Sequence, residues 1–286
     1  MRESAQSDPS DSFSAKIDYY RSQVDTALNA ELHQRRKSPF FAPFVDAFTG
    51  GKRLRPILLL LAHDSVRGRN NDPLPAAVAV ELAHMESLIH DDIIDGDGVR
   101  RDSTAFHARY GQEMALLSAD FILSMILSIA ARYPDARIMS TLAKATGQMC
   151  EGELLERLVS GTNKAVRPAV YRRIVLKKTA SLFEAATTIG ALTAGATTRD
   201  LNALAAYGRA LGVAYQIHDD VTDWAQNRTI TLDLKNKHTS QTEFLLETAT
   251  TFIHEAVEGL QTLKSSEAKQ NLIQLAERVD SGAFHS

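Results

Sequence analysis

Apolar residues recur at steps of three and four through almost the whole chain, which is the spacing of one face of an α-helix. Leu82, Met85, Ile89 and Ile93 form one such series. Runs in which polar and apolar residues alternate, as in a half-buried strand, are scarce. The pattern predicts helices over residues 16–36, 54–66, 74–95, 113–131, 135–158, 168–195, 199–225, 240–263 and 266–280.

Several of these helices are apolar on more than one face, which is typical of the middle of a large bundle or of a subunit interface. Segments rich in Gly, Pro and polar residues separate the helices. The sequence therefore predicts an all-α helical bundle, which we assign to a single domain over residues 15–286. Residues 1–14 are rich in Ser and Asp, and this composition predicts a disordered N-terminal tail.

Composition limits the kinds of binding partner and the cellular compartment that are expected. Apolar residues make up 44% of the 286 residues, enough for a sizeable core, and the net charge of -3 does not favour nucleic acid as a partner. The single cysteine, Cys150, excludes an intramolecular disulfide and suits a reducing cytoplasm. The longest apolar runs, residues 57–62 and 121–131, are shorter than the roughly 20 residues that cross a bilayer. We expect a cytoplasmic protein without a transmembrane segment or signal peptide.

Two aspartate clusters interrupt the apolar pattern, and each has the form Asp-Asp-x-x-Asp. Residues four apart share a face of a helix, so the first and last aspartates of each cluster lie one above the other. Burying these carboxylates without a counter-charge would be very unfavourable. Mg²⁺ suits them because it uses one or two carboxylates and completes its shell with water and substrate phosphates. The candidate metal ligands are Asp91, Asp92, Asp95, Asp219, Asp220 and Asp223.

Each cluster belongs to a longer stripe with a spacing of 4-3-4 along its helix. We expect the two stripes to face each other across a cavity, with the aspartates at its mouth. The stripes are His84, Leu88, Asp91 and Asp95, and Gly212, Gln216, Asp219 and Asp223.

Basic clusters lie at three other places: residues 50–56, Arg100 with Arg101, and Lys177 with Lys178. A run of charged residues usually lies on a solvent-exposed face, and an acidic cluster often lies at the end of a helix. A metal–diphosphate site requires both kinds of cluster. The acidic residues bind the metal, and Arg and Lys neutralise the phosphate charge that the metal does not neutralise. Lys177 and Lys178 are adjacent, so only one of them can face a cavity, and we expect Arg53 to face solvent.

The order of these motifs resembles that of the all-trans isoprenyl (polyprenyl) diphosphate synthases. It runs Gly-Gly-Lys-Arg-Leu-Arg-Pro, Glu-Leu-Ala-His-x-x-Ser-Leu-Ile-His-Asp-Asp-Ile-Ile-Asp, Arg-Arg, Lys-Thr and Tyr-Gln-Ile-His-Asp-Asp-x-x-Asp, over about residues 50–239. The resemblance implies an isoprenoid synthase bundle with a central active-site cavity, usually a homodimer. It also implies head-to-tail condensation of isopentenyl diphosphate with an allylic diphosphate (dimethylallyl, geranyl or farnesyl). Three Mg²⁺ ions, with Mn²⁺ as an alternative, would stabilise the departing pyrophosphate.

The resemblance also implies a role for each motif residue. The direct metal ligands would be Asp91, Asp95 and Asp219, and the supporting positions Asp92, Asp220 and Asp223. The contacts to the allylic diphosphate would be Arg100, Lys178 with Thr179, Gln216 and Lys237. The isopentenyl diphosphate pocket would be Lys52, Arg55, His84 and Arg101. The catalytic set would be Asp91, Asp95, Asp219, Lys178 and Arg100.

Departures from the family pattern keep two other functions open. Residues 102–105, which begin with Asp102, replace the usual Gly and Pro-Thr, and the loop of residues 224–233 has no lysine. These changes motivate a terpene synthase that ionises a prenyl diphosphate without isopentenyl diphosphate. A non-catalytic subunit that regulates a partner synthase is the third class, and the intact second aspartate cluster argues against it.

Product length in the family depends on the cavity floor below the first aspartate motif. The residues five and four before Asp91 are Glu86 and Ser87, neither of which is a bulky aromatic. A carboxylate that faced an isoprenoid tail would be unfavourable unless it were paired. Either Glu86 points toward a neighbouring helix or subunit, or the tail does not reach it. We predict a short-chain product, C15–C20.

Overall fold

The computed structural model describes residues 9–66, 71–96, 98–100, 103–161, 164–224, 230–234 and 240–282. For residues 9–11, 100, 103, 223 and 224 it describes the backbone alone. The chain forms two compact units, each made of two stretches of sequence. The first unit contains Met1–Leu60 and Leu74–Ile129, and the second contains Leu61–Pro73 and Ala130–Ser286. The prediction of a single domain over residues 15–286 stays a prediction.

The first unit contains helices and one short hairpin. Its helices are α1 (Pro9–His33), α2 (Phe41–Ala47), the start of α3 (Leu54–Ser65), α4 (Leu74–Asp95), α5 (Phe106–Tyr110) and α6 (Gln112–Ala130). The hairpin pairs β1 (Val99–Arg100) with β2 (Ser103–Thr104) in antiparallel fashion. The rings of Phe44 and Phe48 are buried and stacked, and the half-buried Phe40 stacks on both Phe44 and Phe121.

The second unit contains the longer helices. They are α7 (Ala136–Ser160), α8 (Pro168–Val175), α9 (Ser181–Ala194), α10 (Thr198–Trp224), α11 (Gln241–Gly259) and α12 (Glu267–Asp280). Between α8 and α9 the chain continues as a π-helical turn, Leu176–Ala180. Ser240 and Ser266 accept hydrogen bonds from backbone N–H groups at the starts of α11 and α12, and Gly195 ends α9 in the left-handed conformation.

The all-α class predicted from the periodicity is confirmed, and the long helices other than α1 lie within a few residues of the predicted ranges. The helix predicted over residues 168–195 is α8, the π-helical turn and α9 in succession. The sequence did not predict α2, α5 or the hairpin. These elements have two to seven residues, which is too short for a repeating apolar pattern.

The predicted disordered tail was too long. Helix α1 already begins at Pro9, and residues 1–8 lie outside the described residues. Phe13 is only 1% exposed and begins the buried stripe that Ile17, Tyr20 and Val24 continue at helical spacing. Because residues 1–14 are mostly polar, the sequence did not indicate that Phe13 is the first buried apolar residue of the helix.

Helix α6 carries exposed leucines on one side, and the exposed Asp120 and Ser124 lie among them. Its exposed leucines are Leu116, Leu117, Leu123 and Leu127. In the described part of the chain, α6 is the one helix long and apolar enough to cross a membrane by length and composition. Core helices of soluble proteins pass the same test, so this is weak evidence for a span. The absence of a transmembrane segment stays a prediction.

Candidate active site

The second aspartate cluster lies on α10, which packs very closely on its neighbours at two glycines. A Cβ atom at Gly208 would lie 2.6 Å from the carbonyl oxygen of Phe183. A Cβ atom at Gly212 would lie 2.7 Å from the Cα atom of Ala180, at the end of the π-helical turn. Side chains larger than hydrogen would separate these elements. The glycines therefore bring the polar stripe of α10 against the turn.

The π-helical turn packs against α7 in the same way. A Cβ atom at Gly152 would lie 2.7 Å from the Cα atom of Lys178, which belongs to the turn. Single π-helical turns within helices are frequent at functional sites. Helix α7, the turn and α10 are thus held close enough for their polar side chains to meet.

A chain of hydrogen bonds crosses these elements and ends on Asp220. Thr179 Oγ1 donates to Gln216 Oε1 at 2.6 Å, and Gln216 Nε2 donates to Asp220 Oδ1 at 2.9 Å. The Tyr171 hydroxyl of α8 donates to Asp220 Oδ2 at 2.5 Å. Both oxygens of Asp220 are therefore oriented by neutral donors. The network joins three residues that were predicted for the site and adds Tyr171, which was not.

Lys178 and Lys177 pair with different carboxylates of α7, and whether only one of them faces a cavity stays a prediction. Lys178 Nζ lies 2.6 Å from Glu153 Oε2 and also pairs with Glu156, both on α7. Lys177 pairs instead with Glu151, which is largely exposed. Glu153 and Glu156 were not singled out by the sequence analysis. Their three-residue spacing on one helix face was a signal that could have found them.

The electrostatic state of this cluster suits a cation. The pKa of Asp220 is raised to about 6, chiefly by burial. The hydrogen bonds from Tyr171 and Gln216 oppose this rise, and the neighbouring carboxylates Glu156 and Asp219 add to it. Among the described residues, no three His, Cys, Asp or Glu side chains form a metal site by themselves. The neighbouring carboxylates of Asp219 and Asp220 fit Mg²⁺, which takes few carboxylates and completes its shell with water and phosphate oxygens.

The first aspartate cluster lies in the last turn of α4, in the other unit. Asp92 is buried at 5% exposure, Asp91 is half-buried and Asp95 is exposed. His84 on the same stripe is half-buried. Asp91 and Asp219 belong to different units, so the prediction that the two stripes face each other stays a prediction.

Arg53 is buried, which contradicts the expectation that it faces solvent. Its Nη1 lies 2.7 Å from Glu81 Oε1, its Nε lies 2.8 Å from Asp25 Oδ1, and its Nη2 donates to the carbonyl oxygen of Phe48. The backbone of Arg53 has a φ of +50°, in the left-handed region. Burial alone would lower the pKa of Arg53, but the two carboxylates raise it on balance. The guanidinium thus ties the segment of Lys52 and Arg55 to α1 and α4.

Lys52 itself is exposed and Arg55 is half-buried. Whether they converge with His84 on one ligand stays a prediction. The side chains of Arg100 and Asp223, together with all of Arg101, Asp102 and Lys237, lie outside the described residues.

Glu86 lies near a second carboxylate. Burial raises the pKa of Glu86 to about 7, and the nearby charge of Asp120 on α6 contributes to the rise. This agrees with the first of the two alternatives for Glu86, that it points toward a neighbouring helix. Burial lowers the pKa of His90, one turn further along α4, and the charge of Asp120 opposes this lowering.

Comparisons with known proteins identify a family whose model matches this chain. The family model described as polyprenyl synthetase matches residues 39–274. A geranylgeranyl diphosphate synthase of Methanosarcina mazei is 40% identical over 71% of this chain and 64% of that protein. An octaprenyl diphosphate synthase of Haemophilus influenzae is 36% identical over 62% of this chain and 54% of that protein. The chain thus spans less than two thirds of the length of these curated relatives.

The fold agrees with a solved structure over nearly its whole length. The geranylgeranyl pyrophosphate synthetase from Pyrococcus horikoshii superposes with a TM-score of 0.83 at 25% identity. The superposition covers 96% of this chain and 99% of that one.

Proposed function

The chain belongs to the polyprenyl synthetase family, and from that premise we propose that it is a Mg²⁺-dependent trans-prenyltransferase. It condenses isopentenyl diphosphate head to tail with an allylic diphosphate and releases pyrophosphate. The observation that carries this proposal is the grouping of Lys178, Thr179, Gln216 and Asp220 at the packed junction of the π-helical turn and α10. An ammonium group and an oriented carboxylate at one place are partners that a metal-bound diphosphate needs.

The acidic residues hold the metal ions in this proposal. Three Mg²⁺ ions, replaceable by Mn²⁺, supply Lewis-acid stabilisation of the departing pyrophosphate. Asp91, Asp95 and Asp219 bind the ions directly. Asp92, Asp220 and Asp223 support them, and the bonds from Tyr171 and Gln216 to Asp220 keep that carboxylate in one orientation.

Basic residues divide between the two substrates. Arg100, Lys178, Thr179, Gln216 and Lys237 bind the allylic diphosphate. The isopentenyl diphosphate pocket is formed by Lys52, Arg55, His84 and Arg101.

The reaction needs no side-chain base. The allylic carbon–oxygen bond breaks, the double bond of isopentenyl diphosphate attacks the resulting cation, and the released pyrophosphate takes the proton that is lost.

Product length is part of the proposal. The names of relatives range from geranylgeranyl to octaprenyl diphosphate synthase, so the family alone leaves chain length open. We propose a C15–C20 product, with dimethylallyl, geranyl or farnesyl diphosphate as the allylic substrate. The terpene synthase alternative is not favoured, because the named relatives are prenyl diphosphate synthases.

A product assay tests the reaction. The protein with Mg²⁺ and dimethylallyl, geranyl or farnesyl diphosphate should give linear diphosphates of C15–C20 only when isopentenyl diphosphate is added, as measured by mass spectrometry. Chelation of Mg²⁺ by EDTA should stop turnover. A hydrocarbon or alcohol formed without isopentenyl diphosphate would replace the proposal with a terpene synthase.

We also propose a cytoplasmic homodimer in which the exposed leucine face of α6 meets the same face of a second copy. Leu116, Leu117, Leu123 and Leu127 are 49, 57, 38 and 47% exposed, and they lie on one side of the helix. An exposed leucine face of this kind is typical of a subunit interface.

Replacement of Leu117 and Leu127 by glutamate should convert the protein from twice the 31.4 kDa chain mass to that mass, as measured by light scattering. The charges would be desolvated in the dimer, but they remain hydrated in the monomer. Leu246→Glu on α11, at a solitary exposed leucine, is the control and should keep the dimer. A monomeric parent protein would contradict this part of the proposal.

A further inference from the structure

The amine of Lys178 lies between two carboxylates. Glu153 Oε2 is 2.6 Å from Nζ, and Glu156 pairs with the same nitrogen. The side chain of Glu153 is 13% exposed, and those of Lys178 and Glu156 are each 31% exposed. This pairing is therefore partly withdrawn from water, where charge-assisted hydrogen bonds count for more than at a surface.

Backbone packing fixes this arrangement. Gly152 precedes Glu153 directly, and at Gly152 the backbone of α7 touches that of Lys178 so closely that a Cβ atom would not fit. The lysine and its two partners thus sit on elements that cannot move apart or slide without losing this contact. The backbone contact therefore keeps the side chains of Lys178, Glu153 and Glu156 within reach of one another.

A bound diphosphate would need the same amine. An ammonium group has only three N–H donors. Glu156 accepts one of them, and a carboxylate oxygen of Glu153 lies 2.6 Å from the same nitrogen. Glu156 is also near the second aspartate motif, where its charge acts on Asp220 and Tyr171. The acidic pair consequently competes with a substrate phosphate for Lys178 and adds negative charge beside the place where that phosphate would bind.

We propose that Glu153 and Glu156 are positioning residues that hold Lys178 in the substrate-free protein and yield it to the diphosphate of the allylic substrate. This rests on the proposed function, which assigns Lys178 to that diphosphate. Part of the binding free energy of the diphosphate is used to break the lysine–carboxylate pairing. The acidic pair therefore weakens diphosphate binding, and it does so through Lys178.

The chain contains a matched control for this effect. Lys177 and Glu151 form the same kind of ion pair between the same two elements, but Glu151 is 65% exposed and pairs with the other lysine. If any loss of an α7 carboxylate changed diphosphate binding through net charge alone, Glu151→Gln would act like Glu156→Gln.

The experiment measures the binding of inorganic pyrophosphate in the presence of Mg²⁺ by titration calorimetry. Glu156→Gln keeps the shape of the side chain and removes its charge. It should tighten pyrophosphate binding about fivefold, the size expected when a partly exposed ion pair no longer has to be broken. Glu153→Gln should act in the same direction, and Glu151→Gln should leave the affinity unchanged. In steady-state assays Glu156→Gln should lower the KM for the allylic diphosphate without raising kcat.

A double-mutant cycle with Lys178→Met separates action through the lysine from direct repulsion. In the Lys178→Met background, Glu156→Gln should no longer tighten binding. A gain that persists there, or unchanged or weaker binding by both Gln variants, would overturn the proposal. If Lys178→Met binds pyrophosphate as tightly as the parent protein, the assignment of Lys178 to the diphosphate fails, and the proposal fails with it. If the parent protein forms no product from isopentenyl diphosphate and an allylic diphosphate, the proposed reaction is contradicted instead. Thermal melting of each variant checks that the fold is kept.

Discussion

Replacing Asp219 by alanine is expected to abolish turnover and to leave the fold intact. In the proposed site Asp219 binds Mg²⁺ directly, and a metal ion contributes several kcal/mol of charge stabilisation. Because about 1.4 kcal/mol corresponds to a factor of ten in rate, kcat should fall about a thousandfold or more. The hydrogen bonds from Tyr171 and Gln216 go to Asp220, so the Asp219 variant keeps that network. Product formation and thermal unfolding are the two measurements.

Asp91→Ala, in the first motif, should lose activity to a similar extent. Asp200→Ala is a suitable control, because Asp200 lies in the first turn of the same helix as Asp219 and pairs with Arg199. It should keep normal turnover. An Asp219→Ala protein with normal activity would contradict the metal assignment, whereas a protein that no longer unfolds cooperatively would point to a structural role for Asp219.

The Arg53→Met variant is expected to lose about 3–5 kcal/mol of unfolding free energy, because it leaves the carboxylate of Glu81 buried without its partner. The side chains of Arg53 and Glu81 are 4% and 6% exposed, so water does not replace the lost ion pair. Chemical denaturation at neutral pH measures the change. Arg53→Lys should also destabilise the protein, although less, because a lysine cannot form the two-sided contact to Glu81 and Asp25.

Two further variants make the Arg53 result specific. Lys52→Met removes the neighbouring, exposed charge and should change the unfolding free energy little. Arg53→Met combined with Glu81→Leu should recover part of the lost stability, since no buried charge then remains unpaired. If Arg53→Met alone is as stable as the parent protein, the buried ion pair contributes nothing to the fold.

The long helices were predictable because their signal is local. Buried residues such as Ile57, Leu61, Leu82 and Ile89 recur at helical spacing, so the sequence shows both the helix and its inner face. Short elements such as α2 and the hairpin have too few residues for such a pattern. The start of α1 was misplaced because one buried aromatic, Phe13, stands among polar residues.

Part of the candidate site was also predictable from the spacing of its residues. Gln216 and Asp220 are four apart on α10 and are joined by a hydrogen bond, whereas the predicted stripe placed Gln216 with Asp219 and Asp223. The adjacent Lys177 and Lys178 have different partners on α7, and which of them faces a cavity stays a prediction. The burial of Arg53 was not predictable, because a charged residue beside Gly50 and Gly51 has the composition of a solvated loop.

The all-α class, the positions of the long helices and the family follow from the sequence alone, because all of them depend on spacing within one helix or on the order of short motifs. Which side chains meet is a property of the tertiary structure. Tyr171 reaches Asp220 across 49 residues, Arg53 reaches Glu81 across 28, and Lys178 reaches Glu156 across 22. These pairs depend on how helices dock, through close approaches such as those at Gly152 and Gly212. Docking leaves no periodic trace along the chain, because each contact is set by the shape of two surfaces and not by the spacing of residues on one.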